Sequence, residues 1–270
     1  MKRKLGINCG CIKDLPHLEA LNLIKKVGFD CIFLDCDAYK NEIATPIKKR
    51  ADELGLGVEF IHAPFIGCNS LWIENENTQP FLTSIFDSID AASNNGIPAI
   101  IMHASSSWLA PPITDMGLQH FDRIIEYGKK KNVRIAFENM RTAPSYSLLL
   151  QRYKDEPAAA YCYDNGHEYC WNPNFNHIEA YKDKMCCCHL HDNLGKLDNY
   201  LTVNGDLHLL PFDGTFDYAQ MIRRMDENGY TGALTLEVFN TQSPEYQKMT
   251  AQEFITTAYQ RLKRISDLQK

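Results

Sequence analysis

The chain has no long apolar run. Nothing in its 270 residues approaches the roughly 18 consecutive apolar side chains that a membrane-spanning helix needs, so no membrane partner is expected. A leader pattern is also missing: the opening MKRKLGINCGCIKDL is basic, but its apolar stretch breaks at Asn8, Gly10 and Lys13, and no secretory segment is expected. Positive charge is in short supply. The 28 Lys and Arg face 34 Asp and Glu, a net charge of −6, which argues against a general nucleic-acid binder. No G-x-G-x-x-G follows a candidate strand, as a doubly wound dinucleotide fold would require. No C-x2-C pair occurs among the ten cysteines, which excludes a zinc ribbon. Without a leader, these cysteines read as reduced thiols, and the expected compartment is the cytoplasm. Linkers, low-complexity tracts and short repeats are absent, so a single domain over 1–270 is expected.

What is present is an alternation of two kinds of segment. Short runs rich in β-branched and aromatic residues recur as KLGIN (4–8), CIFLD (31–35), VEFIH (58–62), AIIMHA (99–104), VRIAFE (133–138), AYCYD (160–164), CCHLHD (187–192) and ALTLEV (233–238). Each is short and apolar enough for a strand of a buried parallel sheet. Amphipathic stretches lie between them, at 18–28, 81–96, 117–132, 216–230 and 250–265, the first two ending on Gly28 and Gly96. Eight such units in a chain of this length predict an α/β fold, a single (β/α)8 TIM barrel.

The polar residues are concentrated at the strand ends. His62, His103, Glu138, Asp164, His189 and Glu237 each sit at or near the C-terminal end of a different predicted strand, and in a barrel these ends converge on one mouth. Several inward carboxylates would repel one another and lose solvation unless a cation neutralised them, and a divalent metal is the natural candidate. Mixed imidazole and carboxylate donors suit Mn or Zn, with Co, Fe or Mg also compatible. The run Cys186, Cys187, Cys188 is a weaker candidate. Side chains alternate across a strand, so three consecutive thiols are not expected to hold one ion. They read as small apolar packing residues, as do Cys9, Cys11, Cys31, Cys36 and Cys162.

The motifs HAPF (62–65), IIMHAS (100–105), AFEN (136–139), YDNGH (163–167), HLHDN (189–193), GDLHLLPFDGTFDY (205–218) and LTLEVF (234–239), in this order, resemble the xylose isomerase-like TIM-barrel superfamily. That superfamily holds sugar isomerases and epimerases and the type-IV apurinic endonucleases. The resemblance implies a four-ligand metal site at Glu138, Asp164, His189 and Glu237. His191, on the same face, is the alternative to His189 as the ligand or a residue supporting it. His167 matches a position that contacts substrate or a further metal. His62, His103, Asp206 and His208 match the extra ligands of the three-metal endonuclease branch, though many sugar enzymes keep them as well. The stretch DLHLLPFDG departs from the superfamily pattern, with Phe212 where Gly is usual and Asp213 where Glu is usual.

The resemblance therefore implies a divalent-metal-dependent isomerase or epimerase of a sugar, sugar acid or cyclitol. Proton transfer would run through a metal-stabilised enediolate, with Glu138 and Glu237 as the catalytic pair. The alternative is a type-IV-like endonuclease or phosphodiesterase with a multinuclear zinc site. Charge separates the two, because a nuclease needs Lys and Arg on its mouth loops. The loop 63–80 carries Glu74 and Glu76 but no Lys or Arg, 105–116 carries none, and Arg141 and Lys196 are the evident basic candidates. A small polyhydroxylated substrate is expected rather than nucleic acid, with Trp72 and Trp108 as candidates to cover a sugar ring. Relatives commonly form dimers and tetramers, so a homo-oligomer is also implied. If the cysteines are packing, Cys187→Ala should lower stability by about 1 kcal/mol and leave the bound Mn or Zn unchanged. Thermal unfolding and elemental analysis would check both.

Overall fold

A computed structural model describes residues 2–199 and 205–269. Eight strands form one sheet: β1 (Leu5–Asn8), β2 (Cys31–Leu34), β3 (Gly57–His62), β4 (Ala99–Met102), β5 (Arg134–Glu138), β6 (Ala159–Asp164), β7 (Met185–His189) and β8 (Leu234–Leu236). Each is parallel to its neighbours, in the order β7-β6-β5-β4-β3-β2-β1-β8. The ring is closed just beyond β7. Leu190 bridges Leu236, Leu190 N donates to Thr235 O (2.9 Å), and Glu237 N donates to Leu190 O (3.0 Å). This is the expected (β/α)8 barrel.

The barrel interior is filled by a layer of small and large side chains, Phe33, Phe60, Ala99, Ile101, Ala136 and Ala160 among them. Phe33 and Phe60, on the adjacent strands β2 and β3, stack at 4.6 Å. Large residues beside alanines let the tapering interior fill.

The helices are α1 (His17–Val27), α2 (Asn41–Leu54), α3 (Thr78–Asn94), α4 (Asp115–Lys131), α5 (Ala143–Arg152), α6 (Asn165–Trp171), α7 (His177–Tyr181), α8 (Tyr218–Glu227), α9 (Pro244–Gln247) and α10 (Ala251–Ser266). The five expected helices occur with ends shifted by a few residues. Sequence periodicity did not reveal α2, where Pro46 interrupts the pattern, α5, or the short α6, α7 and α9. No helix among the described residues is long and apolar enough to cross a membrane.

Two local departures from regular geometry matter for the site. The first lies in β7. Tyr161 pairs with Met185 but Cys162 pairs with Cys187, so Cys186 is an extra residue that bulges out of register. The expected alternation therefore fails here, and the Cys186 and Cys187 sulfurs stand 3.6 Å apart.

The second is the segment 205–217, pinned by buried Asp192. Its Oδ1 accepts from Asn193 N (2.8 Å) and Phe216 N (3.1 Å), and its Oδ2 accepts from Phe212 N (2.7 Å). Phe212 adopts φ 71°, which explains why the superfamily favours glycine there; its ring packs under the Arg264 guanidinium at 4.0 Å. Gly214 sits so close to Asp192 and the Asn193 carbonyl that any side chain would displace them. Asp192→Ala removes the acceptor of three backbone N–H groups. It should cost about 2–4 kcal/mol by denaturant unfolding and should also weaken metal binding, because Asp206 and His208 ride on this segment.

Candidate metal centre

The six strand-end residues meet at the mouth. Glu138, Asp164 and His189 are the last residues of β5, β6 and β7, His62 is the last of β3, and His103 and Glu237 follow β4 and β8 directly. His189 Nδ1 lies 3.4 Å from Glu138 Oε1, 3.4 Å from Glu237 Oε2 and 3.8 Å from Asp164 Oδ2. Four donors bound tetrahedrally at metal distances near 2.1 Å would stand about 3.4 Å apart. Three carboxylates thus surround one imidazole nitrogen at distances of this order, which makes the four a candidate donor set.

His191 lies elsewhere. Its Nε2 is 3.2 and 3.1 Å from the two Asp164 oxygens, and its Nδ1 meets Asn193 Nδ2 at 3.0 Å. It stacks on His208 at 3.9 Å. Of the two histidines in HLHD, His189 faces three carboxylates and His191 stands behind Asp164.

Two further groupings flank this one. His62 Nε2 and His103 Nε2 lie 3.6 and 3.1 Å from Glu138 Oε2. On the other side, Asp206 Oδ2 lies 3.4 Å from His167 Nε2 and 3.1 Å from His208 Nε2. Each set places its donor atoms within 4.8 Å of one another. All ten residues expected from the sequence are therefore at one site.

Electrostatics links these groups. Burial by itself would raise Glu138, yet the facing His189 and His103 hold it well below the usual carboxylate range. Burial would likewise lower His189, but Glu237 and Glu138 carry it up to about 9; Asp206 carries His208 up to about 10 against the same effect. His103 moves the other way, because for it desolvation outweighs the attraction of Glu138. A mouth this rich in buried carboxylate draws positive charge to itself. Its oxygen and imidazole donors fit a divalent ion of the Mn, Zn, Fe or Co type.

Several supporting residues carried no role in the sequence reading. Asn139 Oδ1 accepts from Asp164 N (2.8 Å) and Tyr161 Oη (2.7 Å), and its Nδ2 donates to Asp164 O (2.9 Å). Asn165 clamps the backbone of His191 from both sides, with bonds of 2.9 Å. Asp164 also caps α6 by accepting from His167 N (2.7 Å), so one carboxylate fixes both its own strand end and the next histidine. Each of these asparagines directly follows a candidate site residue or its acidic neighbour, and that adjacency was the available signal.

The cavity above the site has a volume of about 710 Å³. Phe65, Trp171 and Phe239 line it and pack on His103, His167 and His208 at 5.0, 4.2 and 5.9 Å. The expectation for Trp72 is overturned: it is fully buried, with Nε1 donating to Ala104 O (2.6 Å) against Phe121. Its bulk and apolar neighbours favour the packed core over the mouth. Trp108 packs edge-on to Trp171 at 6.5 Å, and it is Trp171 that faces the cavity.

The sequence matches the family described as "Xylose isomerase-like TIM barrel" over residues 21–258. The chain belongs to this family. An uncharacterised protein of Sinorhizobium fredii, y4fM, is 27% identical over 167 residues, 55% of this chain and 50% of that protein, so the match spans half of that relative's length. Among solved structures, a xylose isomerase domain protein from Planctomyces limnophilus superposes with a TM-score of 0.76 at 17% identity, covering 98% of both chains. The E. coli 3-keto-D-glucoside 4-epimerase YcjR superposes at 0.74 and 17% identity, covering 97% of this chain and 100% of that one. A Methylomonas D-allulose 3-epimerase in complex with D-allulose superposes at 0.72 and 12% identity, covering 97% of each. At these identities the likeness establishes the fold.

The two histidines of HLHD can be separated by experiment. His189→Ala should abolish stoichiometric Mn or Zn binding, whereas His191→Ala should weaken it about 10- to 100-fold, as removal of a supporting partner does. Calorimetric titration of metal into the chelator-stripped protein reads both.

Proposed function

We propose that this protein is a divalent-metal-dependent isomerase or epimerase acting on a sugar, sugar acid or cyclitol. Glu138, Asp164, His189 and Glu237 would hold the ion, with Mn or Zn as the metal. The observation that carries the reading is the placement of Glu138 and Glu237. They come from β5 and the end of β8, both line the cavity, and both lie 3.4 Å from the same imidazole nitrogen. A bound divalent ion would polarise a carbonyl or hydroxyl and acidify the neighbouring C–H. The two glutamates then act as the proton-transfer pair, one taking the proton from carbon and the other able to return one from the opposite side. His167, stacked on Trp171, would orient a substrate hydroxyl, and the aromatic walls would offer faces to the sugar's C–H groups.

Charge supports a small polyhydroxylated substrate. Among the described residues lining the cavity, Arg141 is the one Lys or Arg. The epimerase relatives, one of them solved with D-allulose, point the same way.

A second reading has its own observation. The His62–His103–Glu138 and His167–Asp206–His208 groupings could hold further ions, as a multinuclear phosphodiesterase of the type-IV endonuclease kind would. The deciding experiment loads the protein with Mn or Zn and incubates it with free ketoses, ketoglycosides and sugar acids in D2O. Deuterium should enter at the carbon beside the carbonyl. Glu138→Gln and Glu237→Gln should each slow this about 100- to 10,000-fold. An absence of exchange across the panel, together with two or three zinc ions per chain and cleavage of abasic-site DNA, would establish the second reading instead.

A further inference from the structure

The mouth of the barrel is polarised. Beyond the candidate ligands, the charged residues lining its cavity, among the described residues, are Asp35, Asp37 and Arg141. The two aspartates lie on the loop after β2, and Arg141 lies on the loop after β5, three strands away around the ring. Asp35 is held in place, with Oδ1 accepting from Asn8 Nδ2 (3.1 Å) and Oδ2 from Gly10 N (2.6 Å). Arg141 is held by an aromatic face. Its guanidinium lies over the Trp171 ring at 4.5 Å, and Trp171 in turn stacks on His167 at 4.2 Å. His167 Nδ1 stands 3.1 Å from Glu138 Oε1, so a column of contacts joins Arg141 to the candidate metal centre. A guanidinium over an aromatic face is positioned as well as attracted by it, and its fork of N–H donors matches a carboxylate through two parallel bonds. Ser106 and Ser107, on the loop after the adjacent β4, line the same sector of the cavity.

We infer that Arg141 receives a single carboxylate of the substrate, which narrows the substrate class to sugar acids whose carboxylate is remote from the reacting carbon. The inference rests on the isomerase or epimerase reading above for the rest of the molecule. One guanidinium balances one negative charge. A phosphate monoester carries about −1.5 to −2 near neutrality, and among the described lining residues there is no second Lys or Arg to meet the remainder. A neutral sugar would gain weaker, uncharged hydrogen bonds from the same group. Asp35 and Asp37 act in the opposite sense. They repel a carboxylate and accept hydrogen bonds from hydroxyls, so the acid end is directed to the β5 loop and a hydroxylated end to the β2 loop. Fixing the direction of the carbon chain also limits which carbon can lie beside Glu138 and Glu237. The residues that select the substrate would thus also select the position of proton transfer.

The test is calorimetric titration of the full-length, Mn-loaded protein with pairs that differ at one terminal carbon: gluconate against glucitol, galactonate against galactitol, and mannonate against mannitol. At least one acid should bind about 10- to 100-fold more tightly than its alditol. Arg141→Gln should abolish that difference and Arg141→Lys should restore part of it, with Mn content at the wild-type level in both as the sign of an intact mouth. No acid preference in any pair would overturn the assignment. So would a preference that survives Arg141→Gln, which would put the carboxylate on the ion, or tighter binding of glucitol 6-phosphate than of gluconate. Binding and turnover are read separately. Deuterium exchange into neutral ketoses with no acid preference in binding would overturn the carboxylate site and keep the epimerase reading. An Arg141-dependent acid preference without exchange into any keto acid would do the reverse.

Discussion

The burial of Glu138 is the constraint around which the mouth is organised. The residue is 1% exposed and meets four imidazoles: His103 and His167 at 3.1 Å, His189 at 3.4 Å and His62 at 3.6 Å. A carboxylate so far from water must be matched by positive charge or protonated. Histidines from β3, β7, α6 and the end of β4 supply that match, and so draw distant parts of the chain to one point. Asp164 and Glu237 add further negative charge beside it. This gathering of buried carboxylates and imidazoles is what makes the mouth a candidate cation site.

Holding that arrangement requires a layer of neutral polar residues. Asn139 and Asn165 each join a strand end to the neighbouring one through side-chain amides, while Asn193 and Asp192 tie the end of β7 to the segment bearing Asp206 and His208. These groups carry no chemistry. They fix the rotamers of those that do, which a site with ligand tolerances of a few tenths of an ångström demands. Phe212 illustrates the compromise: a left-handed backbone suited to glycine is kept by a bulkier residue whose ring is clasped by Arg264.

The barrel interior changes character along one strand. β7 enters with thiols against an apolar layer and leaves with His189 among carboxylates. Phe33 and Phe60 pack against the His189 ring at 5.0 and 5.6 Å, an apolar floor beneath the mouth.

Much of this was legible in the chain alone. Eight buried apolar runs with amphipathic stretches between them determine a (β/α)8 barrel, because parallel strands buried on both faces need little more than period and length. The candidate site residues could be named in advance because strand ends converge in such a barrel. The sequence could not show α2 behind Pro46, nor that Trp72 turns into the core while Trp171 faces the cavity, because side-chain direction in loops depends on packing with distant residues. The residue pattern by itself could not show that His189 faces Glu138 and Glu237 while His191 turns to Asp164 and Asp206; that required the positions of Glu138 and Glu237, 51 and 48 residues away from His189 in either direction. The cysteine run shows the same limit. Alternation is a local rule, and it was the register with β6, a tertiary property, that produced the bulge and brought two neighbouring sulfurs to the same side.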